Sequence, residues 1–118
     1  MRAVWRWLLN EYRSYRSAEE RADALLVANL SPAQRCQLEL DGCFEVIGSD
    51  TAARYRIRKG TTINIEQLDA AGACVRRWCF GPEGDLPLGD VLLAQKLALE
   101  LFEMEALAIA NRYPASRA

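Results

Sequence analysis

The segment from Leu88 to Asn111 constrains the fold more than any other. Its run VLLAQKLALELFEMEALAIA is apolar around most of a helical circumference, interrupted by Gln95, Lys96, Glu100, Glu103 and Glu105. Leu, Ala, Glu, Gln and Lys favour helix, so a long helix is predicted over 88–111, with Asp85 or Gly89-Asp90 as its cap. A helix apolar on more than one side has to be covered on more than one side. A sheet can cover one face. The N-terminal helix or a second subunit must cover the rest.

The chain ahead of this helix changes period. Arg54-Tyr55-Arg56-Ile57-Arg58 alternates charged and apolar residues, the pattern of a half-buried strand. Cys43 to Ile47, Thr61 to Leu68 (with Ile63 and Ile65 on one face) and Ala73 to Phe80 read as three further strands. Gly48-Ser49-Asp50, Lys59-Gly60 and Asp69-Ala70-Ala71-Gly72 are the turns. Connections this short require antiparallel neighbours, because parallel strands need long crossovers. Ser31-Pro32 opens a short helix that Asp41-Gly42 closes. From Val4 to Asn29 apolar residues return at helical intervals. Trp5, Leu8, Leu9, Tyr12 and Tyr15 form one stripe, and Ala22, Leu25, Leu26 and Asn29 form another. Ser17 and Glu20 match a capping box, so this zone is either one helix or a pair. The expected architecture is α+β in a single domain over 1–118. It comprises an N-terminal helical segment (1–29), a short helix (31–41), a four-stranded antiparallel meander (43–80) and a C-terminal helix (88–111) packed on the sheet.

Composition narrows the chemistry. Fifteen basic and sixteen acidic residues leave a net charge of −1, unlike proteins that bind nucleic acid through bulk charge. There are no histidines, which removes the commonest general base and metal ligand together. No P-loop, GxGxxG or GxSxG motif is present. Cys36, Cys43, Cys74 and Cys79 are weak metal candidates: the first pair is spaced C-x6-C, outside the usual range for zinc. They read instead as small buried hydrophobes. Cys79 lies near Arg76 and Arg77 but has no base to serve it. Glu100 and Glu103, with Lys96, read as a solvated salt-bridging helix face. No catalytic residue and no cofactor follow from these residues.

Two features suggest binding. Arg54, Arg56 and Arg58 alternate onto one sheet face that Arg77 can join. Such a face suits phosphate or an acidic partner, or else pairs with the protein's own acidic helix. Trp5 and Trp7 lie about 200° apart on a helix, so a single stripe cannot bury both. With Tyr12, and flanked by Arg2, Arg6, Arg13 and Arg16, they suit the N-terminal helix to a partner's groove or to an anionic membrane surface; Glu11, Glu19 and Glu20 weaken the membrane case, and a protein partner is favoured. The absence of a signal-like apolar stretch and of a membrane span, with four cysteines, points to a reducing cytoplasm. In style the sequence is bacterial or phage-encoded.

From Phe44 to Arg112 the chain resembles a group of short uncharacterised bacterial proteins. The resemblance rests on Tyr55-Arg56-Ile57-Arg58, Asn64-Ile65, Trp78-Cys79-Phe80, Pro82 and the run from Gly89-Asp90-Val91 through Glu100. It implies no catalytic residue, cofactor or substrate. The expected function is therefore that of a small intracellular, non-enzymatic binding module: an adaptor, regulator or phage-type inhibitor. It would act by contact with a protein partner, including a second copy of itself as a homodimer. A nucleic-acid binder using the arginine strand is the alternative, and no small-molecule substrate is implied.

Overall fold

Alternating apolar residues build a meander of five antiparallel strands, and that sheet positions everything else. The computed structural model describes residues 2–60 and 62–115. In chain order the elements are α1 (Arg2–Ala28), α2 (Pro32–Asp41), β1 (Cys43–Ile47), β2 (Arg54–Arg58), β3 (Ile65–Leu68), β4 (Cys74–Cys79), α3 (Leu88–Ile109) and β5 (Asn111–Pro114). The strands lie in sequence order across the sheet, each antiparallel to the next. The α+β class is as expected, with one strand more than the four predicted. Helix was predicted to continue through Asn111, but Ala110 turns extended and residues 111–114 pair with the open edge of β4.

One face of the sheet carries the core. Phe44, Val46, Tyr55, Ile57, Ile65 and Trp78 point inward and pack with Leu26, Leu92 and Leu99 from the helices and with Leu30 from the α1–α2 connection. α3 lies on this face, and the C-terminal half of α1 packs on α3. Burying side chains of this size contributes about 1.5–3 kcal/mol each and is the main driving force for the fold. The strand expected from Thr61 starts at Ile65. Ile63 stands at φ 51°, outside extended backbone, so it does not share a strand face with Ile65. Thr61 itself lies outside the described residues, as do Met1 and positions 116–118 of the expected domain.

Of the two alternatives for the N-terminal zone, the structure takes the single helix. Ser17 does not cap a second helix; its hydroxyl accepts a hydrogen bond from Arg21 at 2.7 Å. The start of α3 also differs from expectation: neither Asp85 nor Asp90 caps it, and Pro87 occupies the N-cap without a side-chain bond. α2 matches its prediction. The Ser31 hydroxyl accepts from the Gln34 amide at 3.1 Å, and the Gln34 side chain accepts from the Ser31 amide at 3.0 Å. Ser31→Ala is expected to lower stability by about 1 kcal/mol, read as a shift in the urea midpoint with an unchanged slope.

That helix also protects a sheet edge. Gln34 donates to the Glu45 carbonyl at 2.8 Å and Gln37 accepts from the Glu45 amide at 2.9 Å. Two glutamine side chains thus occupy backbone groups of β1 that a further strand would otherwise pair with.

Candidate functional site

Gln95, Lys96 and Glu103 of α3 face inward, and apart from Glu105 the outer face of its C-terminal half is apolar. Gln95 and Glu103 are both 0% exposed and Lys96 is buried, whereas Leu97, Leu101, Phe102, Met104 and Ile109 are exposed, Ile109 at 81%. The solvated carboxylate face expected around Glu100 and Glu103 is therefore corrected. Lys96 pairs with Glu100 at 2.6 Å under partial burial, and Glu103 is wholly internal. Gln95 and Glu103 each hold a connection of the sheet. Gln95 and Asn64 exchange two hydrogen bonds, at 2.8 and 3.0 Å. Gln95 also donates to the Phe80 carbonyl at 2.8 Å, which ties the β2–β3 turn and the end of β4 to the helix.

Glu103 secures the β1–β2 turn. Its carboxylate accepts from the Asp50 amide at 2.9 Å, the Thr51 amide at 2.7 Å, and the Thr51 and Tyr55 hydroxyls at 2.5 Å each. Gly48 leaves room for it, since a Cβ there would occupy the space of the carboxylate. Burial pushes the Glu103 carboxyl up, but the hydrogen bonds from Thr51, Tyr55 and Asp50 outweigh it, and its pKa falls below the ordinary value. The Tyr55 phenol is driven well above its ordinary value by burial first and then by the carboxylate. The turn also enters the helix ladder. Ser49 donates its amide to the Leu99 carbonyl, the Glu103 amide turns to the Ser49 hydroxyl, and the Met104 amide to the Asp50 carboxylate. This insertion accounts for the kink at Phe102 (φ −141°, ψ 47°).

Between α3 and the segment after β4 runs a groove of about 340 Å³, almost wholly apolar in lining. Ala94 and Ala98 line it together with Phe80, Pro82, Phe102 and Ile109, and Glu105 lines it too. The sequence reading did not single out these residues. A signal was present in the all-round apolar composition of the helix, but which face would stay open depended on how far α1 reaches.

α1 covers little of it. Every residue from Arg2 to Arg16 is exposed, and within α1 burial is confined to Ala22 and Leu26. Trp5 (64% exposed), Trp7 and Tyr12 stand in solvent together with Val4, Leu8, Leu9 and Tyr15. The expectation that one tryptophan at most would be buried resolves as neither. Trp5, Leu8, Tyr12, Tyr15, Ala22 and Leu26 follow a three-and-four spacing with Glu19 in the one skipped place, so the seam buried at the C-terminal end continues, with that break, along the exposed arm. The chain's radius of gyration is 16.6 Å, against about 13–14 Å for a compact chain of this length.

The arginines occupy the outer face of the sheet, away from both α1 and α3. Register places Glu45, Arg56, Glu66 and Arg77 in one cross-strand row, so Arg56 and Arg77 do share a face. Arg54 pairs with Glu45 at 2.9 Å, Arg56 with Glu66 at 3.2 Å, and Arg58 with Glu66 as well. Arg77 donates to the Pro114 carbonyl at 2.9 Å. The arginines thus pair with acids of their own sheet rather than with the acidic helix. Burial raises the Glu66 carboxyl, but its bonds to Arg56 and Arg58 bring its pKa below the ordinary value. Four arginines against two carboxylates leave a modest positive surface, and beside it a cleft of about 500 Å³ is lined by Arg56 and Arg58 together with Asp41 and Glu45.

The cysteines are free thiols spread across the molecule. Cys36 is exposed, Cys43 buried, and Cys74 and Cys79 half-buried. The Cys74 thiol is pushed up, chiefly by burial and then by Glu66, away from a reactive thiolate. Among the described residues no group of three His, Cys, Asp or Glu side chains is placed to hold a metal ion. No described helix is long and apolar enough to cross a membrane. Comparison of the chain with protein-family models, curated proteins and solved structures returns no match.

Proposed function

We propose that this protein is a non-enzymatic binding module of a reducing cytoplasm that works by contact with another protein. The N-terminal arm is its docking element, and the arginine face adds selectivity for acidic surfaces. The observation that carries this reading is the arm: seven large apolar side chains between Val4 and Tyr15, all exposed on one helix. Contiguous apolar surface of this extent is uncommon on monomers and is characteristic of interaction sites. Aromatic residues and arginine, which dominate the arm, are the types most enriched where binding energy concentrates. The non-enzymatic side is supported by the lack of histidine and by Glu103, whose two oxygens are taken by four donors. The arginine face is less suited to polynucleotide than its residue count suggests, since Glu45 and Glu66 already engage three of its guanidinium groups.

A photo-crosslinking amino acid placed at Leu8 in living cells tests the reading. The expected outcome is a discrete protein adduct there and none at the exposed control position Glu39. No adduct at Leu8, with the protein folded and abundant, would overturn it.

A further inference from the structure

We infer that the partner of the arm is a second copy of this chain, with the arm of each protomer lying in the α3 groove of the other. The inference rests on the protein–protein reading above and supplies the partner's identity. Three observations carry it.

The first is charge complementarity. Between Arg2 and Arg16 the arm holds four arginines and one glutamate, a net charge of +3. The segment that forms the groove, residues 80–109, holds Glu83, Asp85, Asp90, Glu100, Glu103 and Glu105 against the single cation Lys96. Lys96 is engaged by Glu100, and Glu103 is internal. Glu105 therefore remains in the groove lining, and Glu83 and Asp85 stand exposed in the segment that continues from Pro82, so the charge left at this end of the groove is negative.

The second is reach. α1 is one continuous helix, anchored where Ala22 meets Gly89. Trp5 lies seventeen residues before Ala22, about 25 Å along a rigid rod at 1.5 Å per residue. None of the residues lining the groove comes from α1. A straight helix cannot fold back on its own molecule, but two copies related by a two-fold axis can each offer an arm to the other's groove. Such a contact closes on itself and satisfies both surfaces at once.

The third is area. The chain exposes 7938 Å². A compact monomer of 13.3 kDa exposes about 6,400–6,500 Å². The excess, roughly 1,500 Å², exceeds the ~800 Å² that each partner contributes to a standard stable interface. Ala94 and Ala98 in the groove allow a second helix to approach closely, and the exposed Phe102 and Ile109 flank it.

The test is solution mass by light scattering on the full chain, with variants at two exposed positions. Leu8→Glu damages the arm and leaves the groove intact; Ile109→Arg sets a cation against the arm and leaves the arm intact. Circular dichroism identical to wild type is the control for folding. The full chain is expected to run at twice 13.3 kDa, and each variant alone at half that mass. An equimolar mixture of the two variants is expected to recover dimer, because one sound arm still meets one sound groove. A dimer that survives Ile109→Arg but not Leu8→Glu would mean that arms pair with arms, and would overturn the inference. So would variants whose mixture stays monomeric. A monomeric wild-type chain that still crosslinks at Leu8 to a different protein would overturn self-pairing while leaving the binding-module reading in place.

Discussion

Replacing Glu103 by alanine is expected to cost about 4 kcal/mol, because it removes the common acceptor of four hydrogen-bond donors, one of them buried and three partly buried. The Asp50 and Thr51 amides and the Thr51 and Tyr55 hydroxyls all terminate on this one carboxylate. Removing the acceptor from a charge-assisted network leaves a buried donor with its desolvation cost, about 1–3 kcal/mol, and the partly buried donors with less, because water reaches them. Against a typical total stability of about 5–15 kcal/mol, that is a large share. A melting temperature lower by about 16 °C is the expected reading. Glu103→Gln keeps the shape but presents an amide donor to some of those groups, so it falls between the two. The same residue predicts an acid limb. Its folded-state pKa lies below the ordinary 4.5, so its contribution is fully present above about 4.5 and is lost as pH falls through the lower folded value. Glu66 is depressed as well and acts in the same direction. Urea unfolding at pH 7 and pH 3 should therefore show wild type losing more stability on acidification than Glu103→Gln. Equal losses would mean that the Glu103 network contributes nothing charge-dependent.

The second large effect is expected at Gly89, and its sign is diagnostic. In an ordinary helix, replacing glycine by alanine gains up to about 1 kcal/mol. Here a Cβ would lie 2.6 Å from the carbonyl carbon and oxygen of Ala22 and 2.9 Å from the Asp23 amide nitrogen. Those atoms belong to the backbone of α1 and cannot rotate aside, so α1 must be displaced from α3. Gly89→Ala is expected to destabilise in spite of its propensity, and Gly89→Val to cost about 3 kcal/mol through overpacking. Displacement would also uncover Leu26, which Ala22 and Gly89 now hold against the core. Faster tryptic cleavage at Arg21 than in wild type would report it. A Gly89→Ala variant that melts above wild type would show that the two helices do not approach this closely.

Legibility in the sequence followed the physics of each element. The alternation Arg54-Tyr55-Arg56-Ile57-Arg58 reads directly as a strand because pleating sends successive side chains to opposite faces, whatever the neighbours are. Ser31-Pro32 reads as a helix start because the cap is a local hydrogen-bond pattern. Asn111–Pro114 did not read as a strand: four residues carry no usable period, and they are extended because β4 offers an open edge. Within the site, the exposed aromatics of the arm were visible as residues that one stripe could not bury. The fate of the arginines was not, because Glu66 reaches Arg56 and Arg58 only through the β2–β3 register.

Sequence alone determined the type of every element but β5, the alternation of the sheet strands and the helical arm with more apolar surface than one stripe can hide. These follow from periodicity and local hydrogen bonding, which act over a few residues. Tertiary structure alone decided which way α3 faces. Gln95 and Glu103 turn inward because the turns of the sheet present unsatisfied amides and hydroxyls at those points, and a buried donor requires an acceptor more strongly than Leu97 or Leu101 requires cover. A second apolar side of the helix, beyond the one that Leu92 and Leu99 bury, was left outward, and the groove followed from it.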